Sequence, residues 1–171
     1  MNDVLTHVEG PVVLAGGEWP RHPDDVLPQI AGFVVSAFNP MVAEAADRCL
    51  AARYGTPPAD APLTGVVLAS VHGDTATADA VADALATGRR VPPLLFFQSN
   101  PNAVVGHVTA RWGLTGPVAC TSPAGEALAD GLAVAALMID DGAADEVLVI
   151  AADLAPDHAV AVLVGPVKET R

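Results

Sequence analysis

The chain has 171 residues, 51% hydrophobic but only 4% aromatic, so one domain with a core of alanine, valine and leucine is expected over residues 1–171. Eight Lys and Arg stand against twenty Asp and Glu, a net charge of −12, and without clustered cations nothing points to nucleic acid. The apolar runs are too short to cross a bilayer and no basic-then-apolar leader opens the chain. These features read as a cytoplasmic protein that avoids membranes and owes its solubility to its acidity.

Pro11 to Gly17 is a short apolar run stopped by a glycine pair, a first strand. Glu18 to Gln29 carries Trp19 and three prolines and reads as an irregular loop. Met41 to Tyr54 has helical spacing, with Pro40 at its opening and Gly55 after its end. Gly65 to Ser70 is the second strand. It breaks at His72-Gly73-Asp74-Thr75, where Asp74 or Thr75 caps a helix reaching Gly88. The Pro92-Pro93 pair stops that helix, and Leu94 to Phe97 is a short apolar segment behind it.

Asn100 to Gly113 reads as a further helix, and Gly116 to Thr121 as a strand after a turn. Glu126 to Ile139 is apolar nearly all round, the mark of a buried helix, closed by Asp140-Asp141-Gly142. Val147 to Ala151 is a continuous apolar strand of the parallel-sheet kind, and Ala159 to Val164 follows closely enough to be its antiparallel neighbour. Strands alternating with helices predict a three-layer α/β/α domain around a mixed five-stranded sheet.

Several chemistries fail on inspection. Gly16-Gly17 lacks the third glycine and the acidic residue of a dinucleotide site. Asp140-Asp141 and Asp153 with Asp157 fall in turns, where carboxylates are solvated caps. Cys49 and Cys120 lack metal spacing and read as buried free thiols. No metal or cofactor is expected. His7, His22 and His158 lie in loops or near a terminus and support no site.

Three stretches carry a likeness. Ser70-Val-His-Gly-Asp-Thr75, then Pro93-Leu-Leu-Phe-Phe-Gln-Ser-Asn-Pro-Asn-Ala-Val-Val-Gly-His107, then Gly113-Leu-Thr-Gly-Pro117 resembles the N-terminal half of β-ketoacyl synthases. The likeness is greatest to the short chain-length-factor-like branch, and Val147 to Pro156 supplies that family's closing strand, Asp and Pro. It extends over roughly residues 63–165 and implies one half of a thiolase fold.

Synthases of this family attack an acyl thioester with a cysteine at the N-terminus of a buried helix, where the helix end lowers the thiol pKa. The family places it about eight residues beyond a Gly-Pro turn and about seventeen before a glycine near the helix end. Measured from Gly116-Pro117 and from Gly142, both distances point to Gly125. Glycine cannot form a thioester, so the resemblance implies a chain with no catalytic residue of its own.

Cys120 lies on the strand, only three residues past Pro117, and Ser122 reads as a turn or capping residue. His72, just after a strand, has the position of a site residue in an open sheet, against a plainer reading as a hydrogen-bonded turn histidine. His107 follows Gly106 as the family's catalytic histidine follows glycine, but it falls in a helix where the family has no such role.

The resemblance further implies a partner. The chain would pair with a β-ketoacyl synthase in a type II polyketide or aryl-polyene-type pathway, meeting acyl carrier protein only indirectly. Asn102, His107, Arg111, Trp112, Val118 and Thr121 correspond to the family's dimer contacts. Phe96, Phe97 and Gln98, with His72, Cys120 and Ser122 nearby, would border the acyl channel. Two other readings stand beside it: a small acyltransferase or hydrolase working through Cys120, Ser122 or His72, and a homodimeric scaffold.

Overall fold

A computed structural model describes residues 10–167, so His7 lies outside the described residues. Five strands form one mixed sheet: β1 (Val12–Trp19), β2 (Thr64–Ala69), β3 (Val118–Thr121), β4 (Glu146–Leu154) and β5 (Asp157–Gly165). Their spatial order is β1-β5-β4-β2-β3. β2 lies parallel to both β3 and β4, whereas β5 runs antiparallel to β4 and to β1. All six residues of β2 and the first five of β4 are buried, as strands covered on both faces must be.

Helices cover the two faces unequally. α1 (Phe38–Tyr54) and α4 (Pro101–Trp112) pack on one face, where Met41, Val42, Cys49, Leu50, Val104, Val108 and Trp112 join Val66, Leu68, Leu148, Ile150 and Leu163 in the main core. α5 (Ala127–Asp140) lies on the other face, over Val67, Val147, Val149 and Val164. α2 (Thr75–Ala86) and the short α3 (Pro93–Gln98) follow the carboxyl end of β2. The arrangement is one thiolase-like half, three layers deep.

Charged groups fasten the rim of the main core. Arg48 reaches Asp25 at 2.8 Å, Glu44 at 2.7 Å and the Glu18 carbonyl at 3.0 Å, which ties the proline-rich segment to α1. Asp25 is held down to about 2 by its hydrogen bonds to the Arg48 guanidinium and the Arg21 N–H. At the far end of α1, Arg53 and the Tyr54 hydroxyl both engage Glu146 at the start of β4.

The structure departs from the sequence reading at several elements. β1 runs on to Trp19, whose side chain is buried, so part of the expected loop is strand. Leu94 to Phe97 belongs to a helix, because Pro93 sits in the first helical turn, where a missing N–H costs nothing. Asp153 lies within β4 and His158 within β5, not in loops. α5 is not buried all round: only Gly131 and Ala135 are fully covered, and Leu137 is 63% exposed. A single sheet shields one side of a helix, and the outer apolar side of α5 meets nothing else among the described residues.

Candidate functional site

The parallel strands β2 and β3 end side by side, and the space beyond their carboxyl ends is where open α/β sheets bind ligands. A cavity of about 370 Å³ lies there. Phe38 and Asn39 from the first turn of α1 form one wall. Leu68 of β2 with Ser70 and His72 just beyond it, Cys120 and Thr121 of β3 with Ser122 after them, Asp74 capping α2, Ala78 within α2, and Gln98 of α3 line the rest with neighbouring loop residues.

The polar wall is built as a network. Asp74 caps α2, its Oδ1 accepting the Thr77 N–H at 3.0 Å and its Oδ2 the Thr77 hydroxyl at 2.7 Å. Asn39 Nδ2 donates to Asp74 Oδ2 at 3.1 Å and to the Gln98 carbonyl at 3.2 Å. Gln98, 1% exposed, accepts the Val34 N–H on Oε1 at 3.1 Å and donates from Nε2 to Thr77 at 3.4 Å. Two oxygens are left over: Asn39 Oδ1 and the Thr121 hydroxyl are buried and have no partner among the described residues. A buried polar group left unsatisfied costs roughly 1–3 kcal/mol.

Each candidate nucleophile is otherwise engaged. Cys120 donates its S–H to Asn102 Oδ1 at 3.3 Å, and burial raises its pKa, so it holds its proton. The Ser122 hydroxyl donates to the Val71 carbonyl at 2.9 Å, which leaves no base to activate it. His72 is 70% exposed, and its Nδ1 stands 3.7 Å from Asp153 Oδ1. Ser70 completes a trio with these two, but its hydroxyl donates to Asp153 Oδ1 at 3.2 Å, not to the imidazole. A serine bonded to the carboxylate has no general base, so the trio orders the turn through Gly73 and is not a triad. Ser70 and Asp153 escaped the sequence reading because they meet only through the pairing of β2 with β4, 83 residues apart. Among the described residues, no group of three His, Cys, Asp or Glu side chains could hold a metal ion.

Residues 26–164, well over half of the chain, match the family described as β-ketoacyl synthase, N-terminal domain. The chain belongs to that family. No curated protein sequence matches it. Among solved structures, a chain of the Xenorhabdus doucetiae ketosynthase ApeO in complex with its chain length factor ApeC is similar, with 16% identity and a TM-score of 0.71; the likeness covers 94% of this chain and 80% of that one. The ishigamide ketosynthase/chain length factor is similar at 18% identity and a TM-score of 0.73, covering 87% of this chain but 50% of that one. The 3-oxoacyl-[acyl-carrier-protein] synthase III of Aquifex aeolicus follows at 17% identity and 0.52, covering 94% and 55%. The chain therefore spans about half the length of some relatives and four-fifths of another.

Within this synthase-like half, Gly125 stands immediately before Glu126, the capping residue of α5. It lines a second cavity of about 450 Å³ with Leu128, Ala152, Asp153 and His158. A Cβ built on Gly125 would meet no atom within 4 Å, and its φ is not positive, so neither space nor backbone requires glycine there.

The remaining residues form an outer surface beside the first cavity. Phe96 is 81% and Phe97 53% exposed; neither lines the cavity, although Gln98 beside them does. Phe97 stacks on Phe33 at 6.2 Å, and His107 meets the same ring edge-on at 6.1 Å. Asn102 and Arg111 are exposed, Thr121 is half-buried, and Val118 is 45% exposed on β3, which forms the edge of the sheet opposite β1. Trp112 differs. It is 1% exposed and donates its indole N–H to Asp47, so it braces this surface from within and cannot touch a partner.

Proposed function

We propose that this chain is a non-catalytic, chain-length-factor-like subunit that pairs with a β-ketoacyl synthase in a type II polyketide or aryl-polyene-type pathway in the cytoplasm. The observation that carries the reading is the exposed aromatic pair Phe96 and Phe97, set on a short helix whose last residue, Gln98, lines the same cavity as Cys120 and Thr121 of the edge strand β3. Large exposed aromatics beside an open strand edge mark a surface meant to be covered. The outer side of α5, with Leu137 exposed, adds a second apolar area. Gly125 at the head of α5 supports the non-catalytic part, because that is where the family's nucleophile would stand, and neither Cys120 nor Ser122 is activated to replace it. Asn102, His107, Arg111, Val118 and Thr121 would border the contact, and acyl carrier protein would be engaged through the synthase.

Co-expression with a tagged full-length synthase from the same source, followed by chromatography with light scattering, tests the pairing. A complex of one subunit with one synthase is expected. Changing both Phe96 and Phe97 to Asp should remove it while leaving the melting temperature nearly unaltered for Phe96→Asp alone, since that ring is mostly in water already. Burial of each ring is worth about 1.5–3 kcal/mol, so each loss should weaken pairing roughly tenfold to a hundredfold. A chain that ignores the synthase, or forms only a stable dimer with itself, overturns the reading.

A further inference from the structure

Burial is uneven along the chain. α1 buries ten of its 17 residues. Residues 74–98, which carry α2 and α3, bury only Thr77, Ala84, Leu95 and Gln98. Two of these are polar, and Ala84 and Leu95 belong to neither core cluster. α2 rests chiefly on α3, and α3 on α2 and α4, not on a strand of the sheet. What fastens the segment to the body gathers at its two roots. The Asn39 side-chain amide, in the first turn of α1, donates to Asp74 at one root and to the Gln98 carbonyl at the other. Gln98 accepts the Val34 N–H and reaches across to Thr77, while Phe97 stacks on Phe33. The bonds at the far tip are internal: Arg89 pairs with Asp83 and Thr87, and its N–H goes to the Ala84 carbonyl.

Both roots adjoin a joint. Gly73, with φ +66°, precedes the first, and Asn100, extended at φ −85° and ψ 120°, separates α3 from α4 after the second. The backbone can turn at either place without unwinding a helix. A segment with so few buried apolar contacts opens at a lower free energy than the core. We propose that residues 74–98 are a clasp: they swing from the body as one unit when the Asn39 bonds release, and a partner seated on Phe96 and Phe97 holds them shut. Opening draws Asp74, Ala78 and Gln98 away from Phe38, Leu68 and Cys120, so access to the cavity between them follows the clasp. The partner's role rests on the pairing reading; the opening of the clasp does not.

The test is hydrogen–deuterium exchange of the whole chain, read peptide by peptide in a mass spectrometer. Amides of α2 and α3 should exchange together, about a hundredfold or more faster than those of α1 and β4. Asn39→Ala should speed α2 and α3 alike by roughly tenfold and leave β4 and α5 unaltered, although the substitution lies in α1. Gln98→Met, which keeps the volume and removes the bonds to Val34 and Thr77, repeats the test from the other root. If neither variant folds, the native exchange pattern decides. Adding the synthase should slow α2 as well as α3, although the phenylalanines lie on α3 alone. Protection of α2 and α3 equal to that of β4 in the free chain overturns the clasp, as does a variant or partner that changes one helix without the other. A chain that pairs with no synthase would remove the partner's role, and the free-chain measurements would still decide the clasp.

Discussion

Replacing Gly17 by alanine is the most direct test of how α1 is seated. A methyl group there would lie 2.4 Å from the Cys49 amide nitrogen, 2.6 Å from the Ala45 carbonyl oxygen and 3.0 Å from the Arg48 carbonyl carbon. Ordinary contact needs about 3.4–4 Å, and all three atoms are backbone, so no side chain can rotate aside; α1 has to move off β1 by about 1 Å. Overpacking of this kind costs about 1–3 kcal/mol or more, against roughly 0.4–1 kcal/mol gained by restricting the unfolded chain. The net loss of about 2 kcal/mol corresponds to a fall in melting temperature of roughly 4–8 °C for a chain of this size. Gly106→Ala is the matched control. An added Cβ there meets nothing within 4 Å in the middle of α4, so a gain of about 0.5–1 kcal/mol follows from helix propensity. Thermal unfolding followed by circular dichroism should move the two variants in opposite directions. A Gly17→Ala protein as stable as the native chain would refute the close-approach argument.

Thiol chemistry and acid stability give two further expectations. Burial pushes Cys49 up to about 11, leaving roughly one thiol in a thousand ionised at pH 8, and Cys120 is raised by burial as well. Iodoacetamide followed by mass spectrometry should therefore leave Cys49 unmodified and label Cys120 slowly, while Gly125→Cys introduces the fastest-reacting thiol; rapid labelling of Cys120 instead would revive the small-enzyme reading. The Asp25 carboxylate, depressed from 3.8 to about 2, stabilises the folded chain above its unfolded pKa and stops doing so as pH falls through the folded value. The stability difference between the native chain and Asp25→Asn should accordingly be full at pH 5 and shrink towards pH 2; a difference that stays constant across that window would exclude the Arg48 pairing as its cause.

The sheet was the most legible part of the sequence. Val147 to Ala151 and Gly65 to Ala69 are apolar without alternation, and their shortness and flanking turn residues favour strands covered on both faces. α3 was hidden because a proline pair reads equally as the end of one helix and the opening of the next. The exposure of α5 was hidden for a different reason: composition says a helix wants covering on all sides, not whether the chain itself supplies the cover. Of the site, the family resemblance grouped Gln98, His72, Cys120 and Ser122 with Phe96 and Phe97; the first four border one cavity, whereas the two phenylalanines lie outside it. Asn39 and Thr121 were invisible as buried side chains with an oxygen left unpartnered. That property depends on which hydrogen bonds their neighbours have already made, and no local pattern records it.

The placement of β1 has a consequence for how the chain is made. Val12 pairs with Gly165 and Trp19 with Ala159, so the first strand finds its hydrogen-bonding neighbour only when the last strand exists. On a ribosome, β1 and the face of α1 that rests on β1 and β5 stay uncovered while most of the chain is being synthesised. β2, β3, β4 and the helices between them can assemble earlier, because their contacts span less sequence. The pairing of β1 with β5 should thus form after the rest of the sheet, and a truncation that removes β5 should leave β1 as an unpaired, sticky ribbon.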